Sequence, residues 1–487
     1  MRRAPAVISW STKTILTELN ILNTNRYMTK STLMTLAGAV VMTTACTFGP
    51  SWEKPVMEVP AVFRGAGVGE GNMADLPWQD VLRDKNLQSL LTDVFNSNRN
   101  LEALKHNVEA ARQYVIMARS PLFPTLGYAG TASNGVNTSG GTAVVDMGDA
   151  HTKSGMAGVS ASWELDLWGK TRREVESAEA SAEEVAEQLN NLRISLMRQV
   201  ATGYLQLLML DEQLRITRES MSSYRDTLNL FNDQFKEGVV DKLQVASAQA
   251  ALAAAEAEAP ALEMQIATLE NSLSMLAGRA PGHIARSGSL KAYQNASRVA
   301  AGIPADVLSR RPDIRAKEQA LRAANAEVGV AIASYFPSIS LTATGGYAFP
   351  NLKRSVDGWG IGANLTGPLF QAGRLTANEA AKKEAFLAAK ADYEQAVLNA
   401  MSEVASTLVQ RQKLREVIAR QEQAVAAYET TVSLAKERYK EGYSAYFEVL
   451  DNQLRLFPAQ KQLANYRYQY AACIPTLYTQ LGGGWKN

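Results

Sequence analysis

Cysteine is nearly missing. Only Cys46 and Cys473 occur in 487 residues, which excludes a disulfide framework and a cysteine-built zinc site. The three histidines, His106, His151 and His283, lie far apart in sequence. No catalytic triad, phosphate loop or metal-ligand spacing is present. The glycine-rich Gly67-Val-Gly-Glu-Gly71 is not set between a strand and a helix, so it is no nucleotide loop. An excess of one charge is also lacking. Fifty basic and 48 acidic residues leave a net charge of +2, which gives no reason to invoke a nucleic-acid partner. These absences argue against an enzyme and against a cofactor. Proline is missing where it matters most: none occurs from Lys170 to Glu237 or from Arg374 to Glu441.

What is present begins at the N-terminus. Met28-Thr-Lys30 precedes an apolar run, Leu33 to Met42, and then Thr43-Thr44-Ala45-Cys46. A basic start, a short apolar run and small residues make a secretory signal peptide. The run is too short to cross a bilayer. Cysteine directly after a small residue resembles a bacterial lipobox, with Thr43 where leucine is usual. Cys46 is therefore the expected site of lipidation, and Met28 the expected start, with residues 1–27 upstream of it. One acyl-modified cysteine tethers a chain to a membrane weakly.

The remainder reads twice. Phe235 to Leu252, FKEGVVDKLQVASAQAAL, aligns with Tyr439 to Leu456, YKEGYSAYFEVLDNQLRL, at an offset of 204 residues. The same offset aligns Tyr224 with Tyr428, Thr227 with Thr431 and Leu230 with Leu434. Such self-similarity has to be read before any local element. Residues 47–76 form an extended arm. Residues 77–119 show apolar spacings of three and four, a helical pattern. Strands follow from Leu122 and over Gly155–Leu167, separated by a polar loop at 132–152. Lys170–Glu237 then reads as a helix of about 100 Å at 1.5 Å per residue, followed by a glycine turn at Gly238 and a return helix, Lys242–Ala277, perturbed at Pro260. Residues 278–303 are irregular. The second copy repeats the plan: a helix opened by Pro312, strands at 335–347 and 357–369, a helix over Arg374–Glu441, a turn at Gly442 and a return helix to about Leu481.

The strands alternate with a period of two. One face carries Tyr128, Val159, Trp163, Tyr347 and Trp359; the other carries serine, threonine, glycine and asparagine. Aromatic residues on one face and small polar ones on the other suit a lipid-facing barrel with a wet lumen. Four strands cannot close a barrel, and open strand edges are not tolerated in lipid. Closure therefore demands several copies of the chain, and three would give twelve strands. The competing reading is a soluble pair of hairpins capping a coiled coil.

Several motifs now converge. SWELDLWGK (Ser162–Lys170), RRPDIRAKEQAL (Arg310–Leu321), YFPSISLTATGG (Tyr335–Gly346), PLFQAGRL (Pro368–Leu375), EVLD (Glu448–Asp451) and LGGGW (Leu481–Trp485) resemble the TolC-like outer-membrane factors of tripartite efflux systems, in their lipoprotein branch, which is OprM- and CusC-like. The resemblance covers residues 46–487. It implies an α+β membrane protein: a homotrimer with a twelve-stranded outer-membrane barrel, a long periplasmic helical barrel and a mixed equatorial belt. It implies a passive exit duct for drugs or other toxic compounds, served by a periplasmic adaptor and an inner-membrane transporter of the resistance-nodulation-division class. Its alternatives are a type I protein-secretion duct and a non-channel coiled-coil lipoprotein. The expected segments are a targeting region at 1–45, an arm with the first equatorial helices at 46–119 and a first β-hairpin at 120–169. A helix pair with its linker follows at 170–303, then a helix at 304–334, a second hairpin at 335–373, and the second helix pair with the gate at 374–487.

In that family the periplasmic tip narrows to a constriction whose motif aligns with Phe447, Glu448 and Asp451. The residues themselves make a case. Glu448 and Asp451 are three apart and share a helix face, and rings of carboxylates favour cations in pores. The first copy has Leu243, Gln244 and Ser247 at these positions. A solvated helix start with acids near the N-terminal dipole is the plainer reading. Tyr439 matches a family position in the closed tip. Gly238, Val239, Gly442 and Tyr443, at the two turns, are the expected adaptor contacts. Tyr128, Trp163, Tyr347 and Trp359 are the expected membrane-belt aromatics.

Overall fold

Residues on the long helices are buried at intervals of seven. The computed structural model describes residues 47–65, 73–136, 151–294, 307, 309–349 and 355–484. The elements used here are α1 (Lys85–Ser97), α2 (Arg99–Arg119), β1 (Thr125–Val136), β2 (His151–Leu165), α3 (Lys170–Lys236), α4 (Lys242–Leu276), α5 (Pro312–Ala333), β3 (Ser338–Phe349), β4 (Val356–Thr366), α6 (Arg374–Lys440) and α7 (Phe447–Gln480). On α3 the buried series is Leu196, Gly203, Leu210, Thr217, Tyr224 and Phe231. On α7 it is Val449, Leu456, Leu463, Tyr470 and Leu477. A repeat of seven winds helices around each other with a left-handed twist. Thus α3 pairs with α4, α6 with α7, and α7 lies along α3. Both outgoing helices span 67 residues, and Gly169 and Gly373 precede them in corresponding positions, 204 apart.

Four strands form one antiparallel sheet in the order β1-β2-β3-β4. Its register sorts the side chains into rows. Tyr128, Val159, Gly345 and Trp359 lie in one row, and Leu126, Ala161, Ala343 and Ile361 in the next. On the other face Thr125, Ser162, Thr342 and Gly362 are in register. The outer edges of β1 and β4 have no strand beside them among the described residues.

The core sits where α1, the middle of α3 and the far ends of α4 and α7 meet. Asp84 caps α1 by accepting from the Asn86 and Leu87 amides at 2.9 and 3.1 Å, and it accepts the Tyr204 hydroxyl at 3.0 Å. The arm runs along this region from the sheet base. Trp52 and Met57 pack against Ile314, Leu321 and Tyr393, and Phe63 enters the main core. Arg311, opening α5, reaches Asp313 at 2.6 Å, Glu403 on α6 at 2.9 Å and the Gln480 carbonyl at 3.4 Å. It ties the second copy's elements together.

Several boundaries differ from the sequence reading. The single helical stretch at 77–119 is broken at Asn98. Its side chain caps α2 by accepting the Leu101 amide and donates to the Leu276 carbonyl, so one buried asparagine ends one helix and starts the next. The strand read from Leu122 starts at Thr125, because Ser120–Leu122 form a turn of 3-10 helix next to Pro121 and Pro124. The third strand starts at Ser338 rather than 335: Tyr335 and Phe336 still close α5 through the Ile332 and Ala333 carbonyls. The second and fourth strands end at Leu165 and Thr366 rather than 167 and 369. The return helix α4 keeps its expected extent to within one residue, ending at Leu276 with Pro260 inside it. Gly67–Gly71, part of the linker after Gln294, and Trp485 lie outside the described residues.

These contacts can be tested directly. Arg311→Met leaves Asp313 and Glu403, both partly solvated, without their partner, and losing such a charged hydrogen bond costs about 1.5–3 kcal/mol. The variant should lose its compact, heat-modifiable band in unboiled detergent gels at a lower temperature than the parent. Cys473 is buried on α7, and burial pushes its thiol up to about 11. Iodoacetamide at pH 8 should leave it unmodified in the folded protein and alkylate it after denaturation, since only the thiolate reacts.

Candidate functional site at the helical tip

Both helix pairs turn in the same way. The Gly238 amide bonds to the Phe235 carbonyl and the Val239 amide to Gln234; Gly442 and Tyr443 bond to Tyr439 and Arg438 likewise. This crossed pair of bonds needs a left-handed residue, and the glycines supply φ of 74° and 77°. A side chain there would meet nothing within 4 Å. Space therefore does not require glycine at either turn; the backbone conformation does. Val239 and Tyr443 stand exposed at the two turns.

Beyond the turns the copies diverge. In the first, Asp241 caps α4 by accepting the Gln244 amide at 3.1 Å. In the second, Tyr446 precedes the helix and supplies no side-chain cap. Aromatic packing takes its place. Tyr446 meets Tyr439 edge-on at 4.9 Å between ring centroids and Phe231 edge-on at 5.8 Å. Tyr439 accepts a hydrogen bond from Gln234 Nε2 at 2.8 Å. Tyr439 thus joins the tip of α6 to the tip of α3 and to the start of α7.

The first turns of α7 present two faces. Val449, Leu450, Gln453 and Leu456 are buried, and Leu450 packs among Tyr224, Phe231 and Ala248 of the first copy. Gln453 Nε2 donates to Ser223 Oγ at 2.7 Å. Phe447 and Glu448 are exposed on the opposite side and Asp451 partly so. The three residues read from the sequence as a gate therefore share a free face. A base shares that face with the two acids. Asp451 pairs with Arg455 one turn on, at 3.2 Å, so Glu448, Asp451 and Arg455 together carry one net negative charge. Arg455 was legible as an acid-then-base pair at i,i+4, but the sequence reading weighed only the carboxylates. Gln234 and Tyr446 left no comparable signal, because their partners come from other helices.

The belt aromatics lie at the other end of the molecule. Tyr128 and Trp359 are 90% and 83% exposed and sit in one row at opposite edges of the sheet. Trp163 lies two rows closer to the helices, its indole donating to the Leu122 carbonyl at 3.0 Å, and Tyr347 one row further away. Six residues of β2 separate the Trp163 row from the Tyr347 row, about 20 Å along a strand. That is close to the height of a lipid-facing apolar band. Cys46 lies outside the described residues, but Phe48 is fixed at the sheet base. It stacks on Phe336 at 4.4 Å, and its amide bonds to the Trp168 carbonyl. Among the described residues no group of acids, histidines and cysteines is placed to hold a metal.

Comparison with known proteins agrees with this geometry. The family described as outer membrane efflux protein matches residues 90–279 and 303–483. The toluene efflux pump outer membrane protein TtgF of Pseudomonas putida is 33% identical over 427 residues, 85% of this chain and 86% of that one. The cation efflux system protein CusC of Escherichia coli is 29% identical, covering 91% of this chain and 96% of its own. The open-state MtrE outer membrane channel of Neisseria gonorrhoeae superposes with a TM-score of 0.80 at 28% identity, over 91% of this chain and 99% of that one. The chain belongs to the outer membrane efflux protein family, and it is an outer-membrane channel subunit with the TolC-like fold, made for export across the bacterial outer membrane.

Proposed function

We propose that three copies of this chain form a passive export duct: a twelve-stranded barrel in the outer membrane, continuous with a helical tube through the periplasm and gated at the tip formed by Phe447, Glu448, Asp451 and Tyr439. The observation that carries this is the four-stranded sheet with sorted faces and two open edges. Unpaired edges are excluded from lipid, so the edges have to meet those of neighbours. In a ring of such sheets β1 of one protomer runs antiparallel to β4 of the next. The lower corners of those two strands carry Phe123, Leu369 and Phe370, all exposed in the isolated chain, and ring closure buries them. The energy comes from elsewhere. A periplasmic adaptor seated on the turns at Gly238–Val239 and Gly442–Tyr443 links the duct to an inner-membrane transporter of the resistance-nodulation-division class. The duct itself performs no catalysis and needs no cofactor.

The cargo is small. Relatives are named for toluene and cation efflux, which supports toxic small compounds or ions over secreted proteins. Lipidation of Cys46 fits the same arrangement. Phe48 is fixed at the sheet base on the periplasmic side of the barrel, the side on which an acyl anchor in the inner leaflet would hold the chain.

Ring closure is tested by disulfide cross-linking of Phe123→Cys combined with Leu369→Cys. A ladder ending at trimer on a non-reducing gel is expected; monomer alone, with trimers still seen by light scattering, would refute this contact. The gate is tested in planar bilayers. Glu448→Ala with Asp451→Ala should lower the cation-to-anion permeability ratio, and Arg455→Ala should raise it by up to about fivefold, the scale of an exposed ion pair. Reversal potentials identical in all three proteins would remove the acidic constriction from the mechanism.

A further inference from the structure

The two outgoing helices contain no proline in 67 residues each, whereas both return helices run through proline, α4 at Pro260 and α7 at Pro458 and again, near its buried far end, at Pro475. Pro260 and Pro458 lie near one level of the tube. Lys461, three residues past Pro458, binds Glu258, two residues before Pro260, at 2.5 and 2.7 Å. Proline has no amide hydrogen, so the Leu454 and Glu256 carbonyls lose their helical donors, and the ring crowds the same carbonyls. Both prolines are exposed, which leaves the heptad seam unbroken.

Immediately past Pro458, α7 is pinned from both sides. Gln421 of α6 donates to the Ala459 carbonyl at 3.0 Å, and Gln213 of α3 donates toward the Lys461 carbonyl at 3.5 Å. Before Pro458, contacts with the first copy run through side chains alone: edge-on rings, such as Phe457 on Tyr224 at 5.6 Å, Leu450 packed among Tyr224, Phe231 and Ala248, and a hydrogen bond from Gln453 to Ser223. The helix is therefore clamped by its backbone on one side of the proline and held by side-chain packing on the other.

We infer that Pro260, Pro458 and the Glu258–Lys461 pair form a transverse hinge, below which the tip segments Lys242–Ala259 and Phe447–Phe457 move while the tube above stays fixed. This rests on the gate proposed above and locates its pivot. α3 and α6, tied to the return helices by the turns at Gly238 and Gly442, follow the tip by bending smoothly along their length, while the return helices bend at the prolines, and the carbonyl clamps of Gln213 and Gln421 keep that bend from travelling upward. Pro458 is a positioning residue: it touches no cargo and acts through the segment that carries Phe447, Glu448 and Asp451.

The test uses full-length trimers in planar bilayers, in a Tyr439→Phe background that removes the partner of Gln234 and favours opening. Pro458→Ala restores one helical hydrogen bond, and its addition should reduce the open probability about fivefold, the shift one such bond supplies. Pro458→Gly regains the same hydrogen bond, but the low helix propensity of glycine offsets it, so this variant should open nearly like the Tyr439→Phe parent. Pro260→Ala should reduce opening as well, and more so together with Pro458→Ala. If Tyr439→Phe opens the pore and Pro458→Ala leaves it equally or more open, the hinge is wrong while the gate stands. If Tyr439→Phe does not open it, the gate reading fails, and amide exchange then decides the hinge alone. Pro458→Ala should slow exchange across Phe447–Phe457 and leave 462–480 unchanged; no slowing overturns the inference.

Discussion

The heptad seam is the constraint on which everything else depends. A helix of 67 residues has nothing of its own length to fold back on except another helix, and a repeat of seven buried positions is what keeps two such helices in contact over that distance. The seam fixes where the turns fall, and so where Gly238 and Gly442 have to be. It also divides the circumference of α7. Val449, Leu450 and Gln453 are committed to the seam, which leaves Phe447, Glu448 and Asp451 free. The face proposed as the gate is what remains once packing has taken its share.

Duplication explains the symmetry of this frame, and departure from it marks the proposed gate. The outgoing helices, their leading glycines and the closing turns recur at 204 residues. The strands do not: β3 starts 213 residues after β1, while β4 ends 201 after β2. Loop lengths in the sheet were free to drift because register within the sheet is set by its own faces. At the tip the second copy replaced the Asp241 cap with an aromatic cluster around Tyr446. A capped helix start is fixed by hydrogen bonds to its own backbone. One held by edge-on rings from three helices depends on where those helices stand.

The sheet poses the opposite problem. Its apolar face is exposed and its edges are open, so a single chain is chemically incomplete. Large exposed apolar surface marks a contact with lipid or protein, and here both are required: lipid against the face carrying Tyr128 and Trp359, and a neighbouring copy against each edge. The Phe48, Trp168 and Phe336 cluster holds the sheet to the helices at their junction.

The repeat, the kind of the main elements, the alternating faces of the strands and the shared face of Phe447, Glu448 and Asp451 were all legible in the chain of residues. Each is a periodicity or a local preference, visible within one turn or one strand. The break at Asn98 was hidden because its amide reaches the Leu276 carbonyl across 178 residues, while the starts of β1 and β3 are shifted by local turns at Ser120–Leu122 and Tyr335–Phe336. It took the folded arrangement to settle what Tyr439 touches, that Lys461 meets Glu258, and that Arg311 joins α5, α6 and the end of α7. Those pairings are set by how helices stack and which faces they turn to one another, and no spacing along the chain encodes that.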